Sequence, residues 1–231
     1  MTFFSMTGPA LNRVGDVLVL HLGSDENRMN PAWMDAVESQ LDVVAAERGP
    51  IALVTMATGK FWSNGLDLQW LMANADAIPA FSARVEALFA RVLALGVPTV
   101  AAIQGHAFGA GAMFALAHDQ HVMRADRGYF CFPEVDIQIP FSVGMTELIR
   151  AKLPIPTANA AMTTGRRYSG AEALAAGIVE RTAEEDDVVP AAVELARTLA
   201  PKAGPTLRTI KERLYCTALE GLSQLEASGH H

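Results

Sequence analysis

The segment Pro98 to Glu134, PTVAAIQGHAFGAGAMFALAHDQHVMRADRGYFCFPE, carries the reading of the whole chain. Its first part, Thr99 to Ile103, is a short apolar run bounded by Pro98 and Gly105, the pattern of a buried strand. Gly109, Ala110 and Gly111 follow, and then the apolar stretch Ala112 to Ala117. A turn of such small residues lets other atoms approach the backbone closely. A helix starting there leaves its first N–H groups without intrahelical acceptors, free to face an anion. A second apolar run, His121 to Met123, leads to Glu134, a carboxylate directly after Phe130, Cys131, Phe132 and Pro133. Taken alone, small-residue turns are common and most glutamates are solvated, so both features stay open to bland readings.

Outward from this segment the chain begins strand, helix, strand. Asp16 to Leu22 and Ile51 to Met56 read as buried strands. Between them Asn30 and Pro31 form a helix start, and Trp33, Met34, Val37, Leu41 and Val44 give a helical face to about Glu47. That order suggests parallel strands with helical crossovers. A short helix is expected at Asp67 to Ala73, a break at Asp76 to Pro79, and a helix from Ala80 to Leu95. Downstream, helices are expected at Val143 to Leu153, Thr157 to Thr163, Val188 to Leu199 and Pro205 to Leu219, with Ile178-Val179 a short strand. Ser169 and Glu172 have the spacing of a capping box.

The 231 residues are 51% apolar and 19% charged, a globular composition, with a formal net charge of −7. That balance argues against a nucleic-acid partner, which would want a basic face. No 18-residue apolar span suggests a membrane helix, and Met1 to Met6 lacks the basic start of a signal peptide. Cys131 and Cys216 make no disulfide framework, so a reducing, cytoplasmic setting is the simpler expectation. Gly229-His230-His231 reads as a tag remnant.

Three motifs together resemble the crotonase (enoyl-CoA hydratase/isomerase) superfamily. They are Ile103 to Gly111, Phe61-Trp62-Ser63-Asn64-Gly65-Leu66-Asp67-Leu68, and Thr164-Gly165-Arg166-Arg167 with Ala171-Glu172-Ala173. Pro133-Glu134-Val135-Asp136-Ile137 followed by Pro140-Phe141 looks most like the Δ3,Δ2-enoyl-CoA isomerases. The resemblance implies an α/β fold, a ClpP-like spiral of ββα units over residues 1–180, with a helical C-terminal region at 181–229. It also implies an acyl-CoA thioester substrate, a homotrimer or dimer of trimers, and no metal or other cofactor, CoA being part of the substrate.

The same resemblance assigns roles. The N–H groups of Leu66 and Ala110 would form an oxyanion hole for the thioester oxygen, and most family members carry Gly at the position of Ala110. Glu134 falls on the catalytic glutamate. Met113 stands where the hydratases have a second glutamate. One base suffices for a 1,3-proton shift, whereas hydration wants two groups, so Met113 argues for an isomerase. Ser63, Asn64, Gly65, Asp67 and Gly109, with the basic Arg28 and Lys211, are the candidates for holding CoA. Trp62, Trp70, Phe108, Met113, Phe132 and Phe141 are candidates for the acyl pocket. Hydratase, thioesterase or decarboxylase chemistry and turnover-free acyl-CoA binding remain alternatives.

Other chemistries are weaker. Asp136 is two residues from Glu134 and would face the other way in an extended segment. His118 and His121 lack an evident third metal ligand. Ser63 and Cys131 lack the motifs that accompany nucleophiles. The glycines match neither a dinucleotide fingerprint nor a P-loop.

Overall fold

The computed structural model describes residues 8–224, so the readings of Met1 to Met6 and of the terminal Gly229-His230-His231 lie outside the described residues. Strands β1 (Ala10–Val14) and β2 (Val17–His21) form a hairpin, and helix α1 (Pro31–Ala46) crosses over to β3 (Ala52–Met56). Then come β4 (Phe61–Ser63), α2 (Leu68–Ala73), α3 (Ile78–Leu93), β5 (Thr99–Ile103), β6 (His106–Phe108), α4 (Ala110–Leu116), β7 (Gln120–Arg124) and β8 (Phe130–Cys131). The chain closes with α5 (Val143–Lys152), α6 (Ile155–Thr164), α7 (Gly170–Ala175), β9 (Arg181–Ala183), α8 (Val188–Leu199), α9 (Pro205–Leu214) and α10 (Cys216–Ser223).

The strands sort into two sheets. Six pair in the order β1-β2-β3-β5-β7-β9, all parallel except the β1–β2 hairpin. Three very short ones pair in parallel as β4-β6-β8. Each of β3, β5 and β7 is followed by one strand of the small sheet and then by a helix, so three successive ββα turns build the spiral. This is the α/β architecture expected from the motifs.

Alternation along the strands divides the core. Leu18 and Leu20 of β2, Leu53 of β3, and Ala101 and Ile103 of β5 face the main core with α1, α3, α4 and α5. Val17, Val19, Val54, Val100 and Ala102 face the other way and are covered by Val188, Ala192, Val193 and Ala196 of α8. Strands buried on both faces read as continuous apolar runs, which is why β2, β3 and β5 stand out in the sequence.

Several boundaries differ from expectation. Pro79 is not a break: it sits in the first turn of α3, where its missing N–H costs nothing. Ile178 and Val179 are not a strand, because both N–H groups bond the Ala173 carbonyl at the end of α7, and pairing with β7 begins only at Arg181. The expected helix Pro205 to Leu219 bends at Tyr215 (φ −108°, ψ 20°), and α10 then buries Ala218, Gly221 and Leu222. Asn30 caps α1 by accepting from the Trp33 N–H at 3.0 Å, and the Ser169–Glu172 capping box is present.

Candidate active site

Each strand of the small sheet delivers one part of the site just past its carboxyl end, where parallel α/β sheets tend to place ligands. Past β4 come Gly65 and Leu66. Past β6 come Gly109 and Ala110. Past β8 comes Glu134. The strands are parallel and adjacent, so residues far apart in sequence meet at one end of the sheet.

The first two loops touch. Gly65 has φ +76°, and a side chain on it would meet the Phe108 carbonyl oxygen at 2.8 Å and the Ala110 nitrogen at 3.2 Å. Only glycine combines that φ with that contact. The loop is pinned on both sides of Leu66: the Met29 N–H donates to the Gly65 carbonyl at 2.8 Å and the Asp67 N–H to the Met29 carbonyl at 3.0 Å. Ser63 Oγ donates to the Asn27 carbonyl at 2.8 Å and accepts from the Gly65 N–H at 3.2 Å. Ala110 is the first residue of α4, so its N–H has no intrahelical acceptor. Among the described residues, neither the Leu66 nor the Ala110 N–H has a hydrogen-bond acceptor.

Glu134 lies against the second loop. A methyl on Gly109 (φ +53°) would be 3.2 Å from its Oε1. The carboxylate is 7% exposed, and its buried Oε2 has no hydrogen-bond partner among the described residues. Burial pushes its pKa up to about 7, with the bond to its own backbone N–H opposing. The loop turns sharply here: the Asp136 and Ile137 N–H groups both donate to the Pro133 carbonyl. Glu134 opens onto a cavity of about 560 Å³ whose apolar wall includes Ile139, Phe141 and Met162. Asp136 is directed at Gly165 instead: a Cβ there would meet its Oδ2 at 2.5 Å.

The other candidates divide. Phe141 is partly buried and lines the Glu134 cavity. Phe132 is fully buried beneath it, edge-on to both Phe130 and Phe141. Met113 is 1% exposed in α4. Phe108 is partly buried, with the Arg167 guanidinium 5.6 Å from its ring. Trp70 packs on Phe81 with ring centres 4.8 Å apart. Trp62 corrects the expectation: it is fully buried against Phe114 and His118, a core residue rather than a pocket wall.

A second cleft of about 580 Å³ runs beside the first loop, and Arg28, Asn30, Trp33 and Asp67 line it. Arg28 is paired with Glu26. Asp67 caps α2 by accepting from the Trp70 N–H at 3.1 Å and takes the Asn30 side-chain amide at 3.3 Å. Asn64 is partly buried, its N–H donating to the Glu26 carbonyl at 2.9 Å. Lys211 is the second correction. Its ammonium is buried, 2.6 Å from Asp119 and 3.0 Å from the Val97 carbonyl, so it ties α9 to the sheet and does not face this cleft.

Asn27 was not singled out by motif. It is buried at φ +47°, and its amide donates to the Phe61 and Trp62 carbonyls at 3.2 and 3.1 Å, tying the β2–α1 loop to β4. A turn-rich GSDEN stretch signals a turn but not this clamp. His118 is buried and neutral, its pKa lowered to about 3 by burial. It spans from the Phe114 carbonyl (2.9 Å) to Thr55 Oγ1 (2.7 Å).

The spiral of ββα turns thus sets a buried carboxyl group against a turn whose Ala110 N–H has no acceptor among the described residues. The chain belongs to the enoyl-CoA hydratase/isomerase family, whose model matches residues 17–227. It is 38% identical over 217 residues to enoyl-CoA delta isomerase 3 of Arabidopsis thaliana, covering 89% of this chain and 91% of that protein. It is 36% identical over 172 residues to carnitinyl-CoA dehydratase of Escherichia coli, covering 74% of this chain and 64% of that one. Its fold matches the crystal structure of a probable enoyl-CoA hydratase from Mycobacterium tuberculosis with a TM-score of 0.86 at 25% identity, over 93% and 91% of the two chains. An enoyl-CoA hydratase from Mycobacterium marinum gives 0.87 at 23% identity over 95% and 98%.

Proposed function

We propose that the protein is a Δ3,Δ2-enoyl-CoA isomerase using Glu134 as its single proton carrier. The observation that carries this reading is the placement of that carboxylate: 7% exposed, raised to about 7, and packed on the loop that presents the Ala110 N–H. Glu134 takes a proton from C2 of a 3-enoyl thioester. The electron pair moves through the carbonyl, leaving an enolate. Leu66 and Ala110 N–H groups at ~2.7–3.1 Å from the enolate oxygen would each stabilise it by ~3 kcal/mol. The protonated Glu134 then returns the proton at C4, and the double bond lies between C2 and C3. A pKa near 7 suits a group that must both take and return a proton near neutrality.

Met113 supports isomerisation over hydration, because it puts a thioether where a second carboxyl group would help deliver water. The relatives named enoyl-CoA delta isomerase point the same way. The cleft beside Arg28 and Asp67 suits the CoA portion, and the apolar cavity at Glu134 suits the acyl chain. Exposed Ile210 and Leu214 on α9 support assembly through the helical C-terminal region, in trimers as the resemblance implies. The deciding experiment gives purified protein a 3-enoyl-CoA and, separately, a 2-enoyl-CoA. Conversion of the first to the conjugated thioester without mass change is expected. Addition of water to the second, with no conversion of the first, would replace isomerase by hydratase.

A further inference from the structure

Single exposed apolar side chains are ordinary on a protein surface, whereas a cluster calls for a ligand or a partner. Four large apolar side chains stand about half exposed in one short stretch: Val135, Ile137, Ile139 and Val143, at 47, 46, 45 and 54%. No other stretch of that length among the described residues holds as many. The turn that carries the first three is fixed by hydrogen bonds. The Asp136 and Ile137 N–H groups donate to the Pro133 carbonyl at 2.9 and 3.1 Å, and the Ile139 N–H to the Glu134 carbonyl at 3.0 Å. Gln138, between the two isoleucines, has φ +58°, a left-handed conformation that a side chain disfavours. Backbone strain and exposed apolar surface thus coincide directly after Glu134, and such outliers gather where a ligand is held.

The turn continues the cavity at Glu134. Val135 and Ile139 line both, and the partly buried Phe141 and Met162 extend the apolar wall. The polar groups of the lining ask nothing of an occupant. The Thr146 and Thr163 hydroxyls donate to the Ser142 and Asn159 carbonyls at 2.8 and 2.7 Å, and Gln138 is exposed to water. The unmet need is for hydrocarbon. We propose that the enzyme is specific for long-chain 3-enoyl-CoA thioesters, the distal part of the acyl tail leaving the cavity past Val135 and Ile139 and covering the exposed turn. This rests on the acyl-CoA reading above and adds the chain length. A short acyl group ends inside the cavity and leaves the turn in water. A long one covers it, and each buried CH₂ is worth up to about fourfold in affinity. A second copy of the chain is the competing apolar occupant, and the test reads it.

The test is calorimetric titration of the full chain with hexanoyl-, decanoyl- and tetradecanoyl-CoA below their micelle concentrations, with light scattering to follow the assembly. Saturated esters bind without turnover, so the readout does not depend on proton transfer by Glu134. Affinity should rise about twofold or more per added CH₂, at least about 100-fold from hexanoyl to tetradecanoyl. Ile137→Asp should cut that gain about tenfold or more, because a carboxylate keeps its water against the tail, and Ile137→Leu should keep it. A flat series, or the full gain in Ile137→Asp, would overturn the proposal. Dissociation of the assembly by Ile137→Asp with the gain intact would also overturn it and give the turn to a second copy. Turnover separates this proposal from the isomerase reading. Isomerisation of 3-hexenoyl-CoA with a flat length series removes the chain-length assignment alone. Length-dependent binding with no isomerisation of any 3-enoyl ester removes the isomerase alone.

Discussion

A methyl group on Gly109 would lie 3.2 Å from Oε1 of Glu134. The turn that starts α4 therefore lies close against the carboxylate, with no room to spare for a side chain at Gly109. Gly109→Ala adds that methyl at φ +53°, a backbone conformation costly for any side chain. The variant should lose ~1–3 kcal/mol of stability in urea unfolding. Its kcat should fall ~10–100-fold as the base is displaced. Wild-type kcat would show that the loop absorbs the shift.

Glu134→Gln keeps the shape and removes the base. The expected result is a kcat lower by ~10²-fold or more, with CoA-ester binding retained. Unchanged turnover would transfer the proton step to another group.

The raised pKa has two consequences with different signs. As a base Glu134 must be ionised, so kcat/KM should rise with pH and level off above about 7. Stability runs the other way. The folded state holds this proton more tightly than the unfolded chain, so wild type loses stability as pH rises from the ordinary carboxylate value toward 7. The loss is on the order of 3 kcal/mol. Buried His118 acts oppositely: its folded pKa of about 3 favours the folded state as pH rises toward 6.5. The difference between Glu134→Gln and wild type isolates the first term. The Gln variant should gain relative stability from pH 4.5 to 7 and hold it above, read by urea midpoints across that range.

Lys211→Met leaves Asp119 with its carboxylate accepting only from the Thr99 N–H and hydroxyl, at 2.8 and 3.1 Å. Removing one partner of such a pair should cost ~2–4 kcal/mol. KM for the thioester should stay within about twofold, since the ammonium faces the core rather than the cleft. A large rise in KM with unchanged stability would restore Lys211 to the CoA site.

Met113→Glu places a second carboxyl group on α4, one turn past Ala110. The expected gain is slow water addition to a 2-enoyl-CoA, seen as a product heavier by one water, alongside destabilisation from burying the carboxyl. Isomerisation alone would remove Met113 from the account of why hydration is absent.

Long buried strands and capped helices are legible because they repeat a period or carry a cap. Thr99 to Ile103 and Val188 to Leu199 match the structure at both ends, and Asn30 and Ser169 mark their helices. The small sheet is not legible this way. Two or three residues in β4, β6 and β8 are too few to show alternation. Those strands lie inside motifs recognisable only by resemblance, so the sequence marks Gly65, Ala110 and Glu134 as candidates without marking the sheet that gathers them. That Lys211 and Trp62 lie in the core is not legible for a related reason: residue type does not say which way a side chain faces once helices pack.

The parts of the site hang on neighbouring short strands, while the chain between them travels through long crossovers such as α2 and α3. Sequence distance and spatial distance are thereby uncoupled. A crossover can lengthen, shorten or acquire a new surface without altering the spacing of the three strand ends, so descent can rewrite substrate range in the connecting helices while leaving the chemistry in place.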